Sequence, residues 1–324
     1  MTDRTPSPAP APNPGNDASS TLRRGTLYGL TAYGLWGAFP LYFASLKPAG
    51  PLEILGHRIV WSLVLCLVAM AVMGQFRWFA TLLRTPRQAL TVGLAGALIA
   101  ANWTVYIFAV LTGHVTEAAL GYFLNPLVTV GLGVLVLKEG LRPWQWVAVG
   151  IGTVAACYLT LDYGRPPWVS FSLAFSFAAY GLLKKRVGDT LTAWQSLSGE
   201  TLLLAPFAVA LLVWIQLAGD ATFTTEGAGH IALLVSCGVA TVIPLLLFAG
   251  AARRVPLVTI GMLQFITPVL QLLCGVLLLG EVMPTSRWIG FALVWAALVV
   301  LTVDSVHAAG RSRRLARAAQ GAAI

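Results

Sequence analysis

The side chains in this sequence that could do chemistry are few, and they stand in apolar company. Glu53, His57 and Arg58 share one run, His114 and Glu117 open another, and Glu200 lies in a third. Glu53 and His57 are four apart and share a face if their run is helical. Arg58 is placed roughly 9 Å from the end of that helix, too deep for easy snorkelling. It is either a fixed positive charge that attracts an anionic group or pairs with a titrating carboxylate, or one half of a structural ion pair with Glu53 or Glu117. Glu200, about 10 Å in from its own helix end, is the leading group for proton coupling, because a carboxyl in a low-dielectric site binds its proton more tightly. A plain salt bridge to a neighbouring helix, or access to water at that end, is the alternative. Glu117 near a helix N-terminus is favoured by the helix dipole whether or not it functions, and Glu139 and Glu281 read as boundary residues.

Neutral groups suggest a solute chamber. Asn125-Pro126 and Thr267-Pro268 each lie about 12 residues into an apolar run, where Pro removes a donor and frees a carbonyl. Gln264 and Phe265 sit beside the second of these, and Asn102, Trp103 and Tyr106 lie near the same level, Asn102 and Tyr106 on one face. With Trp36, Tyr122 and Tyr180 they make an amphipathic aromatic lining suited to a small organic solute. Catalytic motifs are absent: there is no HExxH, GxSxG or GxxxxGK. Cys66, Cys157, Cys237 and Cys274 have no CxxC spacing and no nearby His, so they read as packing residues. The expectation is a non-enzyme with no metal and no cofactor.

The elements that position these groups follow from composition. Only 10% of the 324 residues are charged and 57% are hydrophobic, too little charge to cover a water-soluble surface. About 20 apolar residues cross a bilayer, and the apolar runs divide into ten spans near 25–44, 52–73, 89–111, 114–137, 143–161, 167–183, 193–217, 229–251, 256–279 and 285–304. The net charge of +9 sits between the spans and not in a nucleic-acid-binding cluster, so no nucleic acid is expected. One side of the bundle collects Arg23 and Arg24, Arg77, Arg84 and Arg87, Lys138 and Arg142, Lys184 to Arg186, Arg253 and Arg254, and the C-terminal arginines; the other has Lys47, Arg165 and Arg287. Positive loops stay cytoplasmic, which places both termini there.

Sliding the chain by 142 residues lays Gly133-Val134-Leu135 on Gly275-Val276-Leu277, Pro126 on Pro268, Glu139 on Glu281, Trp146 on Trp288 and Asp162 on Asp304. Coincident Pro, Glu, Trp and Asp are not apolar filler, so the chain reads as a duplication. Five spans is an odd number, so the second copy enters the membrane upside down relative to the first, as in many secondary transporters. Arg58 then corresponds to Glu200. The domain reading is a disordered tail over 1–22, repeats over 23–162 and 163–305, and a basic tail over 306–324.

The motifs Ala32-Tyr33-Gly34-Leu35-Trp36-Gly37 with Phe39-Pro40-Leu41-Tyr42-Phe43, Glu53-Ile54-Leu55 with His57-Arg58, Asn102-Trp103 with Tyr106, Gly113-His114, Glu117-Ala118, Leu120-Gly121-Tyr122 with Asn125-Pro126-Leu127, Pro167-Trp168 and Gln264-Phe265 resemble the RarD-type permeases of the EamA family, within the drug/metabolite transporter superfamily. The resemblance implies an all-α integral membrane protein of the bacterial inner membrane, with ten transmembrane helices as two inverted five-helix EamA repeats. It implies a permease for a drug, an amino acid or a related metabolite, and says little about which. Partners expected are the solute, the bilayer and, under one mechanism, protons; monomer and homodimer both stay open. Proton-coupled exchange and uncoupled passage are the two mechanisms, and an intramembrane enzyme or a membrane scaffold is the competing class.

Overall fold

The computed structural model describes residues 14–321 except 75, 139 and 188–190. Thirteen helices follow one another: α1 (Pro14–Gly37), α2 (Phe39–Ala44), α3 (Pro51–Met73), α4 (Arg77–Arg84), α5 (Pro86–Leu111), α6 (Val115–Leu137), α7 (Pro143–Asp162), α8 (Trp168–Val187), α9 (Ala193–Ala218), α10 (Ala228–Ala252), α11 (Leu257–Leu263), α12 (Ile266–Leu273) and α13 (Thr285–Gly321), with a π turn over Cys274–Leu278. No strand occurs among the described residues. The helix starts are chemically marked: Pro stands in the first turn of α2, α3, α5 and α7, where its missing N–H costs nothing and its fixed φ suits the helix.

Among the described residues eight stretches are long and apolar enough to cross a membrane, against ten expected. Trp168–Lys184 in α8 is apolar but shorter. The expected first span is split between α1 and α2 at Ala38, and α1 begins ahead of that span, with Arg23 and Arg24 in its earlier turns. Of the expected N-terminal tail, residues 1–13 lie outside the described residues, whereas Pro14 to Leu22 are already helical, Pro14 opening α1. The expected basic tail continues α13 as helix to Gly321. The amphipathic helix α4 was not among the expected elements. Glu139 lies outside the described residues.

The packing has an internal order. The main helix pairs are α6 with α8, α1 with α12, α3 with α10, α5 with α9, α1 with α10, α5 with α8, α7 with α13 and α3 with α9. Exchanging α1, α3, α5, α6 and α7 for α8, α9, α10, α12 and α13 leaves this set unchanged. The antiparallel pair α7 and α13 is tied at both ends: Arg142 at the start of α7 meets Asp304 at 2.6 Å, and Asp162 at its end meets Arg287 at 3.8 Å.

Close helix contact rests on particular glycines. Gly25 approaches Arg254 and Val255, Gly29 approaches Leu263, and Gly152 meets Leu127, but nothing lies within 4 Å of a Cβ built on Gly131 or Gly150. Cys66, Cys237 and Cys274 are buried and Cys157 is exposed.

Candidate functional site

Arg58 stands two turns into α3 and is 3% exposed. Its Nε donates to Thr241 Oγ1 of α10 at 2.8 Å. The guanidinium carbon lies 3.9 Å from the centre of the Trp103 ring and 5.5 Å from those of Phe39 and Phe43. Stacking over a ring face stabilises a desolvated cation by about 2 kcal/mol, and the planar guanidinium suits it better than a Lys ammonium. Among the described residues no carboxylate pairs with Arg58.

The two carboxylates expected to neutralise it are engaged elsewhere, so that ion-pair alternative does not form. Glu53 accepts from Thr222 N–H at 2.7 Å, Thr222 Oγ1 at 2.9 Å and Phe223 N–H at 3.1 Å, holding the loop between α9 and α10. Glu117 accepts from the Val169 N–H at 3.1 Å and pairs with Arg165 at 3.2 Å. Glu281 accepts from Val115 and Thr116 N–H at the start of α6. All three satisfy backbone donors that their partner elements leave free, and two of them cap helix N-termini, where the dipole favours negative charge. His57 stacks on Phe223, centroids 4.5 Å apart, and receives the Trp61 indole N–H. His230 bonds the Thr222 hydroxyl at 2.7 Å. His114 is further off, bonded to Thr112 in the turn before α6.

Beside Arg58 lies an aromatic cluster. Phe39, Phe43 and Tyr106 are buried together, with Trp36, Tyr42 and Tyr122 packed against them. The Tyr106 ring is 5.9 Å from Phe43 and 5.6 Å from Tyr122. Its hydroxyl is buried without a partner, as are the Gln271 and Asn125 side-chain carbonyls, which is unusual for groups that lose about 1–3 kcal/mol when unbonded. Asn102 is committed to helix contacts: its amide donates to Leu173 O and Ser176 Oγ of α8, and its carbonyl accepts from Tyr122.

The break between α1 and α2 is stapled to α12. Pro40 has no N–H to offer the Trp36 carbonyl, and Gln271 Nε2 donates to that carbonyl at 3.1 Å instead. One turn earlier Thr267 Oγ1 donates to Tyr33 O at 2.9 Å. The proline expectation divides. Upstream of Pro268 the helix is interrupted at Gln264 and Phe265, but α6 runs through Pro126 unbroken, the lost bond being absorbed within one helix. Phe265 packs with Phe123 and Phe291 in a different cluster from Tyr106.

Tyr180 and Glu200 form a separate group toward the Arg-rich end. Glu200 pairs with Lys184 of α8 and accepts from Ser196 at 3.0 Å, and the Tyr180 hydroxyl lies 3.4 Å from it. The salt-bridge alternative for Glu200 is therefore the arrangement seen. Sequence reasoning did not select Thr241, Gln271, Tyr42 or Lys184 for the site, although the first three are polar groups inside apolar runs and that signal was available. Two surface grooves of about 520 and 530 Å³, between α6, α7 and α8 and between α5 and α9, are apolar and touch none of these groups.

The profile of the EamA-like transporter family matches residues 23–161 and again 168–303. The chain belongs to that family. Protein RarD of Streptomyces exfoliatus is 49% identical over 302 residues, covering 93% of this chain and 95% of that one. An uncharacterized transporter of Pseudomonas aeruginosa is 41% identical, with 89% and 96% covered, and protein RarD of Escherichia coli is 35% identical, with 92% and 100% covered. A solved crystal structure, 20% identical, superposes with a TM-score of 0.57 over 86% of this chain and 97% of that one, which establishes the shared fold. As an EamA family member with several membrane-crossing helices, the chain is a multi-pass membrane protein of a transporter family.

Proposed function

We propose that this chain is a secondary transporter, and not an enzyme, which moves a small organic solute across the cytoplasmic membrane by alternating access. Ten spans form two inverted halves, 23–162 and 163–305, with both termini cytoplasmic. The observation that carries the reading is the packing order: a helix set that maps onto itself when the halves are exchanged, with Arg142–Asp304 and Asp162–Arg287 as reciprocal ties. Such symmetry offers two similar packings, one open to each side. The solute occupies the region of Arg58, Trp103, Tyr106 and Tyr122, between α3, α5, α6 and α10.

In this reading the Lys184–Glu200 pair closes the cytoplasmic end, and Glu200 exchanges Lys184 for a proton when that end opens. Uncoupled passage is the second reading, supported by Glu53, Glu117, Glu200 and Glu281 all being engaged. Flux of candidate drugs and amino acids into proteoliposomes holding only this protein tests the main claim; product formation without flux would sink it. Glu200→Gln is expected to abolish dependence on a pH gradient, and unchanged dependence removes Glu200 from that role.

A further inference from the structure

Resting on the transporter reading, we infer that the central site takes an organic monoanion: a carboxylate, held by Arg58, on a ring-bearing or otherwise apolar body. The argument begins with charge. Arg58 is buried inside the bundle with one hydrogen bond to its Nε, from which a single neutral hydroxyl accepts, and among the described residues no counter-ion pairs with it. Arginine stays protonated in proteins, and a buried charge is ordinarily paired. The nearest acidic residue in sequence, Glu53, already accepts three hydrogen bonds from the loop. The terminal nitrogens of Arg58 form the fork that matches a carboxylate with two parallel bonds, and among the described residues neither donates a hydrogen bond.

The surroundings give the rest of the ligand. Trp103, Phe39 and Phe43 surround the guanidinium, and Tyr106 and Tyr122 continue the wall. These faces suit an apolar or aromatic body. The buried Tyr106 hydroxyl and Gln271 carbonyl, whose side chains face each other, together provide one polar anchor for a substituent on that body. No free carboxylate among the described residues stands by to receive a second, positive group, which favours a monoanion over a zwitterion.

The test needs the purified full chain and a panel of ring-bearing carboxylates, each matched with its primary amide; 3-phenylpropanoate and 3-phenylpropanamide are one pair. Thermal unfolding in detergent reports binding. Carboxylates are expected to stabilise the wild type in a saturable way and their amides are not. Arg58→Gln should weaken the carboxylates by at least about 30-fold and leave the amides unchanged. Arg58→Lys, which keeps the charge and loses the fork, should fall between. Amides that stabilise as well as carboxylates, carboxylate binding that survives Arg58→Gln, or a panel with no carboxylate that stabilises the wild type would each overturn the inference. Flux separates the two proposals: neutral-solute transport with no carboxylate preference leaves the transporter reading standing, while carboxylate binding with no flux of any solute leaves only the anion site.

Discussion

Removing the Glu53 carboxylate should release the loop between α9 and α10 while leaving the bundle folded. Three hydrogen bonds converge on that carboxylate, from Thr222 N–H, Thr222 Oγ1 and Phe223 N–H. A hydrogen bond to a charged group contributes about 1.5–3 kcal/mol. The loop lies at the end of the bundle, so water replaces part of each bond, and we take the lower figure for two of the three. Glu53→Ala is then expected to lower the free energy of local opening by about 3 kcal/mol. Because 1.4 kcal/mol is a factor of ten, protection of the Thr222 and Phe223 amides should fall by roughly 100-fold. Glu53→Gln keeps one acceptor oxygen and should lose about half of that free energy. Hydrogen exchange resolved to the 219–227 segment measures both, with the π-stack of His57 on Phe223 retained in each variant. If those amides in Glu53→Ala exchange within about threefold of the wild-type rate, the carboxylate is not what secures the loop.

Further expectations follow from single contacts. Gly238→Ala places a Cβ 2.6 Å from the Trp61 backbone carbonyl and should destabilise by about 1–3 kcal/mol, whereas Gly131→Ala meets nothing within 4 Å; equal effects on thermal unfolding contradict the packing argument. Gln271→Leu strips the Trp36 carbonyl of its donor and should cost about 1–3 kcal/mol in the same assay, with no change speaking against the staple. A double-mutant cycle on Arg142 and Asp304 should give a coupling of about 1 kcal/mol or less, because Arg142 is 45% exposed; a coupling above about 2 kcal/mol means that the pair is shielded from water in the folded protein.

Much of this protein was legible in its sequence because hydropathy is additive along the chain. Helix type, the approximate positions of most spans and the short roster of ionisable groups in apolar runs all come from local sums. What the sequence left open was which group meets which. Arg58 had two plausible carboxylate partners, and both turn out to serve backbone donors: Glu53 serves a loop some 170 residues away, and Glu117 the start of α8. Glu200 had the opposite fate, finding Lys184 across a helix pair. Pro126 and Pro268 look alike in the alignment, yet only the second sits beside an interrupted helix. Hydrogen bonds and ion pairs require atoms of distant segments to meet within about 3 Å, and that meeting is fixed by how helices pack, not by the residues that flank them. The sequence supplied the charge at Arg58, and the packing alone left it without a counter-ion among the described residues.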